Sequence, residues 1–212
     1  YRPEDLDEKF VKKYKDILKL PRLGGYAIWK MQIIKQQLDK INEGDIIVYL
    51  DAGSTVNKKG KIRFYEYIKL LDSSDYGFLG FSNGRGRSYI IQELIDYFNK
   101  EKDVVNKKIL DDKNYISGHI MIQKNEHSKL IINEFFKILE YNRFLITDKY
   151  NESNKKYDGF SGDSRHEQSI LSLLFKIHGC VHNDDPHYFG DRDDALNNPK
   201  SKSYPFIATR QR

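Results

Sequence analysis

The chain has 212 residues, of which 39% are hydrophobic and 32% charged, and its formal net charge is +5. This length predicts one domain over residues 1–212, and no apolar run approaches the ~20 residues that cross a bilayer, so we expect no transmembrane segment. Basic residues alternate with acids, which argues against a clustered nucleic-acid-binding face, and the single Cys180 excludes an internal disulfide and favours the reducing cytoplasm.

The spacing of apolar residues predicts helices and strands in alternation along the chain. In chain order we expect helices over 5–19 and 26–42, a strand over 45–50, a helix over 60–71, a strand over 75–81, a basic loop over 82–88, a helix over 89–99, a loop over 101–113, a strand over 115–123, a helix over 126–141, a mobile loop over 147–163, a helix over 164–178 and an irregular tail from 180. This alternation favours an α/β sheet with helices on its faces.

The predicted strand over 45–50 ends abruptly in Asp51, Ala52 and Gly53. Ligands of open α/β sheets bind outside the carboxyl ends of strands, so we expect the Asp51 carboxylate to enter a crevice there. Gly53 would let the backbone approach a ligand closely. The alternative is a buried strand followed by a plain turn that Asp51 caps, and the strand alone leaves both interpretations open.

The predicted helix over 26–42 carries a second apolar face, with Tyr26, Trp29 and Ile33, beside its main one. A helix with two such faces is either packed on two sides or lines a pocket. Arg22 and Lys30 lie near the second face, and cations there could hold a diphosphate. The alternative is a core tryptophan whose basic neighbours extend their charged ends to solvent.

The segment Gly-Asp-Ser-Arg-His-Glu-Gln-Ser over 162–169 opens the predicted helix over 164–178. Ser164 and Glu167 match a capping box, and the helix dipole favours acids at this end. The functional alternative places Asp163, His166 and Glu167 at a helix start that faces a ligand, where phosphate also binds well. The local pattern does not decide between the two.

Metal-ligand residue types cluster in the tail between His182 and His187. Carboxylate and imidazole ligands would suit Mn²⁺ or Mg²⁺, although such short stretches beside prolines are more often solvated turns. The loop over 83–87 has two glycines but lacks the G-x-G-x-x-G spacing, so it is either a flap over a substrate or a turn.

Three blocks of sequence occur in a recognisable order over roughly residues 20–180. They are Gly25-Tyr-Ala-Ile-Trp29-Lys30, then Glu43-Gly-Asp45-Ile-Ile-Val-Tyr-Leu-Asp51-Ala-Gly53, and then Arg165-His-Glu-Gln-Ser169 followed by Leu-Leu-Phe-Lys-Ile-His-Gly. Together they resemble a family of GT-A-type glycosyltransferases of bacteria with A/T-rich genomes and of giant viruses. The viral relatives include the glucosyltransferase domain fused to a collagen lysyl hydroxylase.

The resemblance implies a GT-A-like Rossmann-type sheet flanked by helices, a UDP-linked sugar donor, a hydroxyl acceptor on a glycan or hydroxylated protein, and a divalent metal, Mn²⁺ or Mg²⁺. It also implies roles for residues in these blocks, for residues beside them and for two histidines of the tail. These are Asp51, Asp163, His166 and Glu167 in catalysis, Arg22, Tyr26, Trp29, Lys30, Gly53 and Gln168 in donor binding, and Asp51, His182 and His187 as metal ligands. Asp51 would meet the metal or the ribose, and Lys30 and Arg22 would offset charge on the leaving diphosphate.

The sequence departs from the family pattern at several positions. Asp51-Ala-Gly53 stands where relatives have Asp-x-Asp, so other ligands would have to help Asp51 hold a metal. Met31 stands in place of a proline, and Glu167 in place of an aspartate. Strands that hold the nucleobase begin such domains, whereas this chain begins with helices, so we expect an N-terminal segment to precede Tyr1.

Three other functions compete with glycosyl transfer. A non-catalytic domain that binds glycans or nucleotide sugars would explain the degenerate Asp-x-Gly motif. A nucleic-acid binder would need a clustered basic face or a known motif, and neither is found in the sequence. A phosphatase with Asp51 as its nucleophile would need a second acid at the position of Gly53.

Overall fold

The structure is a computed structural model that describes residues 2–100 and 103–210, apart from the side chains of Arg85 and Arg192. It divides into two compact units. The first unit comprises Tyr1–Asn42, Gly84–Tyr115 and Lys129–Gly179, and the second comprises Glu43–Asn83, Ile116–Ser128 and Cys180–Arg212. Each unit therefore combines stretches that are distant in sequence, and the predicted single domain over 1–212 stays a prediction.

The fold is mixed α/β, which confirms the predicted class at that level. The α-helices of the described residues are α1 (Glu8–Lys13), α2 (Lys15–Leu18), α3 (Ile28–Leu38), α4 (Lys61–Asp72), α5 (Gln92–Asn99), α6 (Lys107–Asp111), α7 (Glu126–Tyr141), α8 (Asn151–Asn154), α9 (Glu167–His178) and α10 (Arg192–Asn197). The β-strands are β1 (Ile46–Leu50), β2 (Ser54–Val56), β3 (Phe78–Arg85), β4 (Lys113–Tyr115), β5 (His119–Gln123), β6 (Val181–Asn183) and β7 (Phe206–Ala208).

The main sheet is mixed in direction. In the second unit β5 pairs antiparallel with both β1 and β3, and β6 pairs in parallel with β3. The last two residues of β3 and the whole of β4 belong to the first unit. A separate antiparallel ribbon joins β2 to β7 in the second unit. Strands β2, β6 and β7 were not predicted, because each has only three residues and so shows no clear period.

The prediction of a buried strand before Asp51 is wrong. Within the described residues β1 pairs only with β5, so it lies at the edge of the sheet. One of its side chains, Val48, is 38% exposed. The apolar run of β1 reflects a half-buried edge strand, and Asp51 still follows its carboxyl end.

Several predicted boundaries are also wrong. The helix over 5–19 is interrupted at Tyr14, whose φ of −112° and ψ of 23° separate α1 from α2. The basic loop over 82–88 is mostly strand, since β3 continues to Arg85. The loop over 101–113 contains α6, which the Asn106 side chain caps by accepting from Ile109 N–H, while positions 101 and 102 lie outside the described residues.

Three further segments also differ from the prediction. The strand over 115–123 is split into β4 and β5, the loop over 147–163 contains a short 3-10 turn and α8, and the tail forms β6, α10 and β7. By contrast, α7 has the predicted bounds of 126–141.

Each unit has its own apolar core. In the first unit Phe10 of α1 packs edge-on against Phe136 of α7 at 6.3 Å between ring centroids, and Tyr115 packs against Phe175 of α9 at 5.5 Å. In the second unit the core is a cluster of buried side chains from α4, β3, β5, β7 and the loop after β4. These are Tyr67, Leu71, Leu79, Phe81, Ile116, Met121 and Phe206. No helix of the described residues is long and apolar enough to cross a membrane.

Candidate functional site

The segment from Leu23 to Ala27 forms a left-handed turn. All five consecutive residues have positive φ angles, between 51° and 89°. The turn is closed by Tyr26 N–H donating to Arg22 O at 2.7 Å and Ala27 N–H donating to Leu23 O at 3.3 Å. Left-handed geometry costs non-glycine residues roughly 1–2 kcal/mol each, and three of the five are not glycine. Strain of this kind tends to be kept at functional sites.

This turn corrects the predicted start of the second helix. Because α3 begins at Ile28, Tyr26 lies in the turn and not on a helical face. Gly25 is required at its position, since a Cβ there would lie 2.7 Å from Leu18 Cα and 2.9 Å from Ile17 O. The Trp29 indole Nε1 donates to Leu23 O at 3.1 Å and so fastens the turn to α3.

The start of α9 is also strained. His166 has φ 56° and ψ −124° and directly precedes the helix, which begins at Glu167. The capping-box interpretation is therefore wrong, because Ser164 and Glu167 do not occupy the N-cap and third helical positions. Ser164 Oγ instead accepts from His166 N–H at 3.3 Å. A strained residue costs of order 1–3 kcal/mol and persists only where its surroundings hold it.

A buried ion pair links the two strained segments. Lys30 Nζ donates to Glu167 Oε1 at 2.7 Å, and the two side chains are 4% and 6% exposed. The side chain of Lys30, which the sequence analysis placed near a diphosphate, is thus turned to a carboxylate inside the first unit. The same contact fixes the first residue of α9 against α3.

Asp148 connects the residues around His166 into a polar network. Its Oδ1 accepts from His166 Nε2 at 3.0 Å and from Asn151 Nδ2 at 3.1 Å, and its Oδ2 accepts from Arg22 Nη1 at 2.7 Å. Arg22 Nη2 also donates to Asp163 Oδ2 at 3.1 Å, and Asn151 Nδ2 donates to Asp163 Oδ1 at 3.0 Å. We call these five residues, Arg22, Asp148, Asn151, Asp163 and His166, the Asp148 network.

Charges in the Asp148 network alter the pKa values of its members. Burial alone would raise the pKa of Asp148, but hydrogen bonds from His166 and Arg22 outweigh burial and lower it. Burial and the nearby Asp148 charge both raise the pKa of the Tyr26 hydroxyl. For Arg22, burial opposes ionisation, yet the hydrogen bonds to Asp148 and Asp163 prevail and raise its pKa. The contacts within the network therefore favour the ionised forms of the Asp148 carboxylate and the Arg22 guanidinium.

Tyr26 and Trp29 lie beside different features of the first unit. The Tyr26 ring packs against the His166 imidazole with 4.9 Å between centroids. Trp29 lines an apolar groove of about 420 Å³ together with Leu6, Leu18 and Ile33. Both outcomes that the sequence allowed for this helix hold at once, because α3 is buried on several sides and Trp29 also lines a pocket.

The side chains of the Asp148 network differ in how far they are exposed to solvent. The side chains of Arg22 and Asp163 are 44% and 46% exposed, whereas that of His166 is 5% exposed. Gln168, on the first turn of α9, is half-buried, and its N–H donates to Arg165 O at 3.0 Å. A ligand would therefore reach Arg22 and Asp163 before the buried His166.

In the second unit Asp51 follows β1 as an exposed residue. Tyr49 donates its hydroxyl to Asp51 Oδ1 at 2.8 Å, and Asp51 N–H donates to Gly118 O at 2.9 Å. A Cβ on Gly118 would lie 3.0 Å from Asp51 Oδ2, so glycine leaves room for the carboxylate. Asp51 is thus oriented by its neighbours and remains open to solvent.

A second polar group follows Asp51 in the same unit. Ser54 Oγ and the buried His119 Nε2 share a hydrogen bond at 2.8 Å, and the His187 ring lies 5.8 Å from that of His119. Burial, helped by the charge of Arg210, lowers the pKa of His187 and keeps its imidazole neutral. Gly53 O accepts from the Thr209 hydroxyl at 3.1 Å, so this glycine contacts the residue that follows β7.

The residues proposed as metal ligands do not form a set of three. Among the described residues no group of three His, Cys, Asp or Glu side chains could hold a metal ion. His182 Nε2 lies 3.2 Å from Asp184 Oδ2, and Asp185 accepts from Tyr67 at 2.7 Å and from Arg63. Of the three proposed ligands, Asp51 is the carboxylate, oriented by Tyr49, and we derive no chemical step from a metal.

The structure brings together six of the residues that the sequence singled out. They are Arg22, Tyr26, Lys30, Asp163, His166 and Glu167, all in the first unit. It adds Asp148 and Asn151, which the sequence analysis assigned to a mobile loop. Their spacing of three within a polar stretch is a weak sign of a helical turn, and nothing local indicates that they contact His166.

Comparison of the chain with protein-family models, with curated proteins and with solved structures finds no match. The resemblance to GT-A-type glycosyltransferases accordingly rests on the three sequence blocks and stays a prediction.

Proposed function

We propose that the protein is a glycosyltransferase that moves a hexose from a UDP-linked donor to a hydroxyl acceptor on a glycan or hydroxylated protein. The observation that carries the proposal is the meeting of the first and third sequence blocks. Tyr26 packs on His166 and Lys30 pairs with Glu167, although these partners lie about 140 positions apart. Two blocks that the resemblance assigns to donor and sugar binding are thus in contact with each other in the first unit. We also propose that the mixed sheet is GT-A-like.

The charge of the Asp148 network favours a sugar as its ligand. Two carboxylates, Asp148 and Asp163, share one guanidinium, Arg22. Accessible carboxylate oxygens accept hydrogen bonds from hydroxyl groups, whereas the same excess of negative charge repels a diphosphate. We therefore assign the transferred sugar or the acceptor hydroxyl to Asp163, and diphosphate binding by Arg22 and Lys30 stays a prediction.

In the proposed reaction the bond between the sugar's anomeric carbon and the diphosphate oxygen breaks, and a bond to the acceptor oxygen forms. The acceptor's proton passes to a base. We assign that role to Asp163, whose side chain is 46% exposed and can be reached by an acceptor, whereas the His166 side chain is 5% exposed and its Nε2 is held by Asp148. Mn²⁺ or Mg²⁺, if recruited by Asp51, would supply charge to the leaving diphosphate.

The alternative is a binding domain that retains the donor site without turnover, which the Asp51-Ala-Gly53 departure motivates. Calorimetric titration with UDP, UDP-glucose and UDP-galactose, with and without Mn²⁺, tests donor binding. Donor hydrolysis measured in parallel separates the two functions. Binding with hydrolysis supports the transferase, binding alone supports the binding domain, and no binding of any donor contradicts both.

A further inference from the structure

An apolar cavity of about 450 Å³ lies in the second unit beside β1. This size falls within the roughly 300–1,000 Å³ of pockets that hold small molecules. Its walls are hydrocarbon and aromatic side chains from β1, β2, α4 and the start of β7 with the proline before it. They are Val48, Leu50, Val56, Phe64, Pro205 and Phe206. The cavity lies outside the Asp148 network.

The walls offer little to a polar ligand. Asn57 is the one uncharged polar side chain among the lining residues, and its amide is already used. Its Nδ2 donates to Ser201 O at 3.1 Å and Tyr204 O at 3.0 Å, and its Oδ1 accepts from Lys59 N–H at 3.1 Å. A nucleobase or sugar would lose its hydrogen bonds to water here without replacement, whereas a hydrocarbon chain would lose none.

Two lysines complete the lining. Lys58 and Lys61 are exposed, and neither forms a salt bridge within the described residues, although Lys61 Nζ lies 5.8 Å from the centroid of the Tyr65 ring. Ammonium groups without an anionic partner at the edge of an apolar cavity are complementary to an anion whose remaining part is apolar. Val56, which also lines the cavity, is 63% exposed. An apolar chain could therefore enter from solvent past Val56 while its charged end stays beside the lysines.

We infer that this cavity binds an amphiphile with a phosphate head group, its alkyl chain against Val56 and Phe64 and its phosphate beside Lys58 and Lys61. The inference does not depend on the proposed glycosyl transfer. It follows from an apolar wall without free hydrogen-bonding groups and from two lysines that have no anionic partner in the described part of the chain.

The first experiment uses the unaltered protein with hexyl, octyl and decyl phosphate, each below its critical micelle concentration, in calorimetric titrations. Each buried methylene should tighten binding about fourfold, equivalent to about 0.8 kcal/mol. Inorganic phosphate alone should bind far more weakly than octyl phosphate. Affinity that is independent of chain length would overturn the inference, because the cavity would then take no part in binding.

Variants locate the site. Val56→Asp places a charge in the cavity wall and should weaken octyl phosphate binding at least tenfold. Ile62→Asp is the matched control, because Ile62 is 77% exposed on α4 and does not line the cavity. Lys58→Gln with Lys61→Gln should weaken octyl phosphate roughly tenfold and leave octanol binding unchanged, whereas Lys69→Gln should change neither. Equal losses in Val56→Asp and Ile62→Asp would overturn the site.

Vesicles separate the two sources of such an amphiphile. Binding to phosphatidylglycerol vesicles that Val56→Asp abolishes and Ile62→Asp spares would identify a membrane lipid. Binding of octyl phosphate without vesicle binding would identify a free amphiphile, and either outcome supports the inference. No nucleotide sugar is present in these titrations, so they neither test nor depend on the transferase proposal.

Discussion

Lys30 Nζ lies 2.7 Å from Glu167 Oε1, although 137 positions separate the two residues in the sequence. Both side chains are withdrawn from water, so each charge relies on its surroundings for compensation. The pair connects the helix that follows the left-handed turn to the helix that follows His166. It therefore fixes both strained segments of the first unit at one point.

Lys30→Met should destabilise the protein by about 3–5 kcal/mol, because it leaves the Glu167 carboxylate buried without its cation. The double variant Lys30→Met with Glu167→Leu should lose less than the sum of the two single changes. Urea unfolding of the three variants measures both quantities. Lys35→Met is the control, since Lys35 forms an exposed pair with Asp39 and should cost at most about 1 kcal/mol. An equal cost for Lys30→Met and Lys35→Met would contradict the buried pair.

Alanine substitutions at the two glycines of the left-handed turn should lower the free energy of unfolding by different amounts. Gly24→Ala should cost about 1–2 kcal/mol, because its φ of 59° strains alanine but the nearest atom to the new Cβ lies 3.6 Å away. Gly25→Ala should cost a further 1–3 kcal/mol or so, because its Cβ would overlap Leu18 and Ile17. Thermal and urea unfolding of the two variants measure the difference. Indistinguishable stabilities would show that the turn does not pack as described.

Asp148 should make stability depend on pH in the acid range. Its pKa in the folded protein lies below its ordinary value of 3.8, so the unfolded chain binds a proton more readily than the native protein does. Its stabilisation is complete above that value and is lost as the pH falls through the lowered pKa. Asp148→Asn should cost about 2 kcal/mol at pH 7, and the cost should shrink towards pH 3.

Urea unfolding at pH 7 and pH 3 measures this change. Asp158→Asn is a matched control, because Asp158 is an exposed aspartate of the same unit that is not in the Asp148 network. Its stability should follow that of the unaltered protein at both pH values. A cost for Asp148→Asn that is the same at pH 3 and pH 7 would refute the assigned hydrogen bonds to the ionised carboxylate.

If the proposed transfer is correct, Asp51→Ala should lower donor turnover at least about a hundredfold while leaving the circular dichroism spectrum unchanged. Asp51 is exposed at the end of a strand, so its loss removes a ligand contact and no core packing. Asp45→Ala, at the opposite end of β1, is the control and should retain turnover. Full activity of Asp51→Ala would refute the placement of the site at this strand end.

The sequence predicts the elements whose burial follows a regular period. The apolar residues of α7 recur with helical spacing over four turns, and the structure gives it the predicted bounds. The run before Asp51 indicates a strand, and β1 is found there. The prediction fails where an element is short or polar, as in α6 and β2, because a few residues carry too little periodicity to outweigh their loop-like composition.

Local pattern also misled at the start of α9. Ser164 and Glu167 have the spacing of a capping box, but tertiary contacts place the first helical residue at Glu167. The Lys30 ammonium and the strained His166 backbone determine this start. A spacing rule considers only residues within one turn, so it cannot detect a partner that arrives from another helix.

The sequence by itself determined the mixed α/β class, the strand that ends at Asp51 and the identity of the polar residues near both strained segments. Only the tertiary structure decided that Leu23–Ala27 is left-handed, that Lys30 faces Glu167, and that Asp148 joins Arg22 to His166. The physical reason is the range of the interactions. Hydrophobic periodicity depends on residues that are close in sequence, so it can be recognised from the sequence alone. Ion pairs between residues more than a hundred positions apart, and strained backbone angles, form only when packing brings the segments together.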